Sequence, residues 1–332
     1  MSRPAPVHLS RSDLDRLRKP VPFHNLTKIP LFLFLMAGLT WVAWIEDDLW
    51  LRVFWYVAIG YMWMGMVTFM HDALHYTLFK SRAANWAFGI LCMLPIFATF
   101  VGFREDHIEH HRHNRSPKDP DAFTMGRRGI GDFVLFYAYA AIGGVLSFIH
   151  FNFIYPFQRF GARLWAIQLF ELALKATVYW LVLSAAAEHG MLGKALEVWL
   201  YPVLVLSLLN SMRFIAEHYG TPWNAGQMAG TRTVVSNRVH SFFWNNINWH
   251  IGHHVYPTVP WYNLRRLHRL LEPQIAASGA PVDRSYLVVY WQALKRGPET
   301  TASVAEMLAT KNPAAARAHA AGCGKVQAAP AA

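Results

Sequence analysis

Eight histidines in this 332-residue chain fall in three short clusters. Residues 71–75 read HDALH, residues 107–111 read HIEHH, and residues 250–254 read HIGHH; a ninth, His218, stands in AEHYG. On a helix, positions i, i+3 and i+4 share a face. So His71 and His75 converge, as do His107, His110 and His111, and His250, His253 and His254. With 17 histidines in the chain, a given HxxHH arises by chance about 0.04 times, so two copies beside an HxxxH are not coincidence. Neutral imidazole is the commonest side-chain metal ligand, and it suits Zn, Cu, Fe and Ni. One ion takes about four to six ligands, so the box histidines plus His218 point to two metals. His113, His240 and His268 lie near the boxes but outside their spacing, and read as structural.

The elements that must present these residues are membrane helices. Apolar residues make up 54% of the chain and charged ones 15%, against about 25% charged in a soluble domain. This excludes a disordered chain, a coiled coil and an ordinary soluble enzyme. Two cysteines, Cys92 and Cys323, exclude a disulfide scaffold, a Cys-ligated zinc site and an iron–sulfur cluster. The net charge of +11 is read as basic residues on the cytoplasmic side of a membrane, not as a nucleic-acid surface. Residues 1–28 are a polar, basic cytoplasmic segment without a signal-peptide cleavage site. Residues 29–311 form the membrane domain, and residues 312–332, rich in Ala and Gly, form a disordered tail. Four runs read as spans: about 29–45, 49–70, 164–187 and 196–216. The stretches 86–103 and 131–155 are ambiguous.

Charge orients the spans. The acidic Glu46-Asp47-Asp48 loop and the short loop at 188–195 belong outside. The basic N-terminus, the segments around Lys80, Arg82, Arg104 and Arg128, and the region after 217 belong inside. That parity requires 86–103 and 131–155 to leave and re-enter one face, or to lie along it. Gly89, Pro95 and Gly102 favour a break in 86–103. The predicted fold is all-α, with about four transmembrane helices and a cytoplasmic helical cap. Glu171 and Lys175 lie four apart in the third span. They read either as a functional pair or as a pair that neutralises itself near the interface. Met62, Met64, Met66 and Met70 read as packing between helices in preference to a tunnel lining.

The segments HDALHYTLF, HIEHHRHNRSPKDPD and NWHIGHHVYPTVPWYNLRRLH resemble the three histidine boxes of the membrane fatty acid desaturase superfamily, over about residues 26–272. The resemblance implies a cytoplasmic di-iron centre, O2 as co-substrate, and cleavage of an unactivated C–H bond in a lipid-like chain. Matched position by position, the iron ligands are His71, His75, His107, His110, His111, His218, His250, His253 and His254. The family often places an Asn one turn before the lone histidine. Here that position is Phe214, which leaves Asn210 or Asn248 as replacements. Asp72, Glu109, Asp119 and Asp121 are candidates to accept the second ring N–H of a ligand histidine; Asn248 is a candidate for the same surrounding shell. Arg213 and Glu217 pair with each other or with that shell.

The run VYPTVPWYNL is similar to acyl desaturases, so desaturation of a fatty acyl chain is the expected reaction. Hydroxylation, ketolation and decarboxylation to a terminal alkene are the alternatives within the superfamily. A metal transporter or sensor is disfavoured because transporters place ligands within the spans, whereas these boxes lie at span ends. No HPGG, CxxC or GxGxxG segment is present, so an external electron carrier is expected: a ferredoxin, or a cytochrome b5-like protein with its reductase, drawn by the basic surface. The remaining expected partners are the acyl substrate and membrane lipid, without nucleic acid. The expected location is multi-pass in a membrane, the inner membrane for a bacterial chain, with the active site on the cytoplasmic face.

Overall fold

A computed structural model describes residues 9–121, 129–300 and 304; the tail expected at 312–332 lies outside the described residues. Secondary structure among the described residues is almost wholly helical. The helices are α1 (Arg11–Arg18), α2 (Pro22–Ile45), α3 (Leu49–Leu74), α4 (Arg82–Met93), α5 (Phe100–His113), α6 (Ile130–Ile149) and α7 (Tyr155–Arg159). After these come α8 (Ala162–Glu188), α9 (Leu192–His218), α10 (Gly226–Ala229), α11 (Arg238–Phe243), α12 (His250–Val255), α13 (Leu264–Ser278) and α14 (Tyr286–Arg296). Two short strands, β1 (Thr233–Val234) and β2 (Val282–Asp283), pair in parallel.

Five helical stretches among the described residues, not four, are long and apolar enough to cross a membrane. The addition is Ile130–Arg159, the stretch whose composition suited a span but whose charge parity did not. It is not a uniform rod: Ile142 has φ −133° and ψ 31°, and His150–Ile154 is a π-helical turn. α3 is 61% buried over its apolar window, against 17–22% for the other four. So α3 is enclosed by protein, whereas the others carry apolar side chains on their outer faces, the arrangement lipid requires.

The chain divides into two compact units. One holds residues 21–106 and 141–211. In it α3 and α9 approach closely: a Cβ at Gly60 would lie 2.6 Å from Val205 Cβ. The expected break within 86–103 is present, since α4 ends at Met93 and α5 begins at Phe100. Its freed backbone groups go mainly to polar residues of α8, and also to Asn152 of the π-helical turn and Trp199 of α9. Glu171 accepts the N–H groups of Phe100 (2.6 Å) and Val101 (3.0 Å), capping the first turn of α5. Lys175 Nζ donates to Met93 O and to Ile96 O, and Tyr179 Oη to Leu94 O. Asn152 accepts the Thr99 N–H at 2.9 Å. Buried backbone polar groups must be paired. The Glu171–Lys175 spacing therefore serves a broken helix, not an interfacial ion pair.

The other unit holds residues 1–20, 107–140 and 212–332. Its apolar core gathers Leu17, Trp249, Ile251, Val259, Leu264, Leu267 and Leu271. These come from α1, α12, α13 and the loops between them, so the third box is anchored by its own apolar positions.

Candidate metal centre

Seven of the nine predicted ligands lie in the unit of residues 1–20, 107–140 and 212–332. α5 carries His107, His110 and His111 in its last two turns, and α9 ends on His218. α12 carries His250, His253 and His254. Ile251 is fully buried in the apolar core, and a Cβ at Gly252 would meet Leu267 Cδ2 at 3.3 Å. The two residues between the histidines thus press α12 onto α13 and turn the imidazoles the other way. Thr233 Oγ1 accepts the Ile251 N–H at 3.3 Å, and Asn248 Nδ2 donates to Val234 O at 3.1 Å. Asn248 therefore ties the box to β1 through the backbone.

The histidines form two groups, and each HxxHH box is divided between them. His107 Nε2 lies 3.0 Å from His111 Nε2, which lies 2.9 Å from His253 Nε2. In the second group, His250 Nε2 lies 3.4 Å from His218 Nε2 and 3.1 Å from His254 Nε2. The ligand atoms of His110, His218 and His254 lie within 4.8 Å of one another. Box two thus sends its i/i+4 pair to the first group and His110 to the second. Box three sends its i/i+4 pair to the second and His253 to the first. Helix geometry explains the division. At about 100° per residue, i and i+4 differ by about 40°, whereas i+3 and i+4 diverge by about 100°.

These separations suit bound metal. Donor atoms about 2.1 Å from one ion stand about 3.0 Å apart at right angles and about 3.4 Å apart in a tetrahedron. The hydrogen bonds on the far side of the rings agree. His218 Nδ1 faces Gly230 O at 3.3 Å, and a carbonyl can only accept. His254 Nδ1 faces Gln227 Oε1 at 3.1 Å, and the Gln227 amide is oriented by donating to His111 O. His110 Nδ1 faces Asp119 Oδ1 at 2.9 Å. With Nδ1 carrying the proton in each, lone pairs are left on Nε2. A single His250 N–H could satisfy one of its two Nε2 neighbours but not both, whereas a cation satisfies all. The residues fit a metal.

Electrostatics point the same way. Burial, and then the neighbouring His111 and His250, push the His254 imidazole well below its usual range. It is neutral, as a ligand must be. Burial alone would raise the Asp119 carboxyl, but His110 beside it and the Arg115 N–H outweigh burial and hold it below the usual range. Asp119 thus keeps a charge next to His110, with Asp121 Oδ2 3.5 Å from the same nitrogen. Glu217 is buried. Its Oε2 lies 3.3 Å from His250 Nε2 and 3.4 Å from Arg213 Nε, and its Oε1 accepts the Tyr286 hydroxyl at 3.1 Å.

Other predicted residues fall elsewhere. Glu109 is taken by Arg112 and by His113, whose Nε2 is 3.2 Å from Oε1, and not by a box histidine. The Phe214 ring stands 5.6 Å from that of His218 and 6.3 Å from that of His110, an apolar wall where an Asn was sought. His240 packs 4.1 Å from the Trp244 ring, and burial brings its pKa down to about 4. His268 Nδ1 lies 3.5 Å from Thr233 Oγ1. Both stay outside the groups, as their spacing predicts. Gln227, on the short helix α10, escaped sequence reasoning, because a lone Gln carries no spacing signal.

His71 and His75 belong to the other unit, at the end of α3, with ring centroids 5.0 Å apart. Asp72 is buried, with Oδ1 3.9 Å from His71 Nδ1. Burial, and then the charge of Arg104, bring the His75 pKa down to about 3.

A family profile described as fatty acid desaturase matches residues 48–286, which include every histidine of both groups. The chain belongs to the fatty acid desaturase family. It is 24% identical over 289 residues to the Delta(5) fatty acid desaturase fat-4 of Caenorhabditis elegans, covering 72% of this chain and 62% of that protein. It is 22% identical over 318 residues to an sn-1 acyl-lipid omega-3 desaturase (ferredoxin) of Synechocystis, covering 84% and 86%. It is 25% identical over 270 residues to the sphingolipid delta(4)-desaturase/C4-monooxygenase DES2 of Rattus norvegicus, covering 78% and 74%. This family member therefore spans less than two thirds of the nematode protein's length.

Proposed function

We propose that this family member is an integral membrane oxidoreductase that desaturates a fatty acyl chain with O2. The overall reaction removes two hydrogens from adjacent methylenes. With two further electrons and two protons, it reduces O2 to two waters. His71, His75, His107, His110, His111, His218, His250, His253 and His254 are the proposed ligands of two irons. When bound, iron would supply the O2-derived oxidising power that an unactivated C–H bond demands. The protein's part is to hold neutral imidazoles, with the proton of His110, His218 and His254 kept on Nδ1 by Asp119, Gly230 O and Gln227. Phe214 keeps water from one side of His110 and His218. The observation that carries this reading is the convergence of Nε2 atoms at metal-ligand spacing.

Electrons come from an external carrier, either a ferredoxin or a cytochrome b5-like protein with its reductase, attracted by the basic surface. The N-terminus, the boxes and the C-terminal region share the cytoplasmic face. In that topology four of the five candidate helices cross, and Ile130–Arg159 returns to its starting side. The test incubates the enzyme with an acyl substrate, a reducing system and labelled O2. An unsaturated, unlabelled acyl product is expected. Label in an organic product would show hydroxylation. Loss of the carboxyl carbon with a terminal alkene would show decarboxylation. Metal analysis showing one zinc and no iron would sink the di-iron reading.

A further inference from the structure

The family profile ends at residue 286, yet a carboxylate beyond it enters the frame of the metal centre. Glu299 is buried at 4% exposure, and Arg115 at 5%. The Arg115 guanidinium grips Glu299 with two parallel hydrogen bonds, each 2.9 Å. Arg115 follows the second box and has φ +56°, a left-handed conformation uncommon outside glycine. That turn aims its N–H at Asp119 Oδ2, 2.7 Å away, and Asp119 Oδ1 faces His110 Nδ1.

A second path leaves the same carboxylate. Glu299 Oε1 accepts the Gly220 N–H at 2.6 Å, and Arg115 donates to Thr221 O at 2.8 Å. Thr221 Oγ1 lies 2.6 Å from His218 O and 3.1 Å from Gly230 O, the carbonyl that accepts from His218 Nδ1. One buried ion pair thus fixes the loop behind His110 and the loop behind His218. These two residues come from separate helices but share one histidine group. Both paths end in the group of His110 and His218.

We propose that Glu299 is a positioning residue for the metal held by His110, His218 and His254, and not for the metal held by His107, His111 and His253. The proposal rests on the reading of the two groups as metal sites. Groups that orient a ligating histidine typically change metal affinity by about 10–100-fold. Glu299 acts on the histidines only through Arg115, Asp119 and Thr221, so loss of its charge is expected to weaken one of the two sites by about 10-fold, the lower end of that range.

The experiment uses the full-length chain, stripped of metal in detergent and titrated anaerobically with Co(II). Visible absorption and equilibrium dialysis give the occupancy and affinity of each site. Wild type is expected to bind two Co(II). Glu299→Gln is expected to bind one as wild type does and the other about 10-fold more weakly, with an altered Co(II) spectrum for that site alone. Glu299→Asp, which keeps the charge, is expected to recover part of the loss. Combining Glu299→Gln with His218→Ala should add little to His218→Ala alone, because both act on one site; combining it with His253→Ala should add the full loss. Unchanged affinity at both sites overturns the proposal, as does equal weakening of both in a chain that still elutes as a folded monodisperse species. Should Glu299→Gln not fold, Glu299→Asp carries the same comparison under the same two outcomes. A wild-type chain that does not bind two ions refutes the metal-site reading itself, which separates that failure from this one.

Discussion

Replacing Asp119 with Asn tests how far the carboxylate, and not merely its shape, holds His110. Both oxygens of Asp119 are in use. Oδ1 faces His110 Nδ1 at 2.9 Å and accepts the Asp121 N–H at 3.0 Å, while Oδ2 accepts the Arg115 N–H at 2.7 Å. All three neighbours are donors, so an amide of the same size sets its NH2 against at least one of them, whichever way it turns. A buried donor left unsatisfied costs about 1–3 kcal/mol. For the histidine, loss of the oriented charge should weaken metal binding about 10–100-fold, or about 1.4–2.7 kcal/mol. The sign with pH follows from the lowered carboxyl. Its stabilising contribution is complete above the unfolded value near ~3.9 and is lost as pH falls through the folded value. At pH 7 wild type therefore has all of it, and the variant none. The assay is anaerobic Fe(II) titration of the metal-free chain at pH 7, beside thermal unfolding in detergent. Equal Fe(II) affinity in the two proteins, with the fold intact, would refute the argument that Asp119 fixes the imidazole.

Three further outcomes are expected. Glu171→Gln leaves one of the Phe100 and Val101 N–H groups facing an amide NH2, which should cost about 1–3 kcal/mol and appear as a lower melting temperature; an unchanged melt would mean that the first turn of α5 does not depend on this cap. Gly60→Val drives a side chain into Val205 and should cost about 1–3 kcal/mol by overpacking. Gly38→Ala, inside α2 with nothing within 4 Å of the added Cβ, is the control and should not lower the melt, since Ala favours a helix interior over Gly by about 1 kcal/mol. In metal-free protein, His75 stays neutral until about pH 3, whereas the unfolded chain takes up that proton near ~6.5. Stability should therefore fall as pH drops from about 6.5 toward 3. His75→Gln should make the slope between about pH 4 and 6 shallower by one proton, about 1.4 kcal/mol per pH unit; identical slopes would show that His75 does not set it.

Much of the site is legible in the residues themselves, because periodicity and ligand chemistry are local. The spacing HxxHH needs nothing beyond a helical turn to put imidazoles on neighbouring positions, and seven of the expected histidines do meet in one unit. Composition likewise requires apolar helices, since a chain so poor in charge cannot cover itself with polar surface. The break in 86–103 is also written locally, in Pro95, whereas Gly89 and Gly102 lie inside α4 and α5. The partners that make the break tolerable, Glu171, Lys175 and Asn152, are distant in sequence. Their role depends on where α8 and the π-helical turn pass.

What the chain's order could not state is which histidines share a group. One helix presents His107, His110 and His111 across an arc of about 100°, and only the helices that face that arc decide how it is divided. Folding gives the pair His107 and His111 to His253, and gives His110 to His218 and His254. The same holds for the carboxylates. Asp119 and Glu109 look alike beside the box, yet the chain turns at Arg115 so that Asp119 returns to His110, whereas Glu109 points along its own helix to Arg112 and His113. Glu299 is the clearest case, because its effect on the centre runs through a guanidinium and two loops far from it in sequence. Sequence fixes what a side chain can donate or accept; only packing, which excludes water and so makes each buried polar group find a partner, selects the partner it meets.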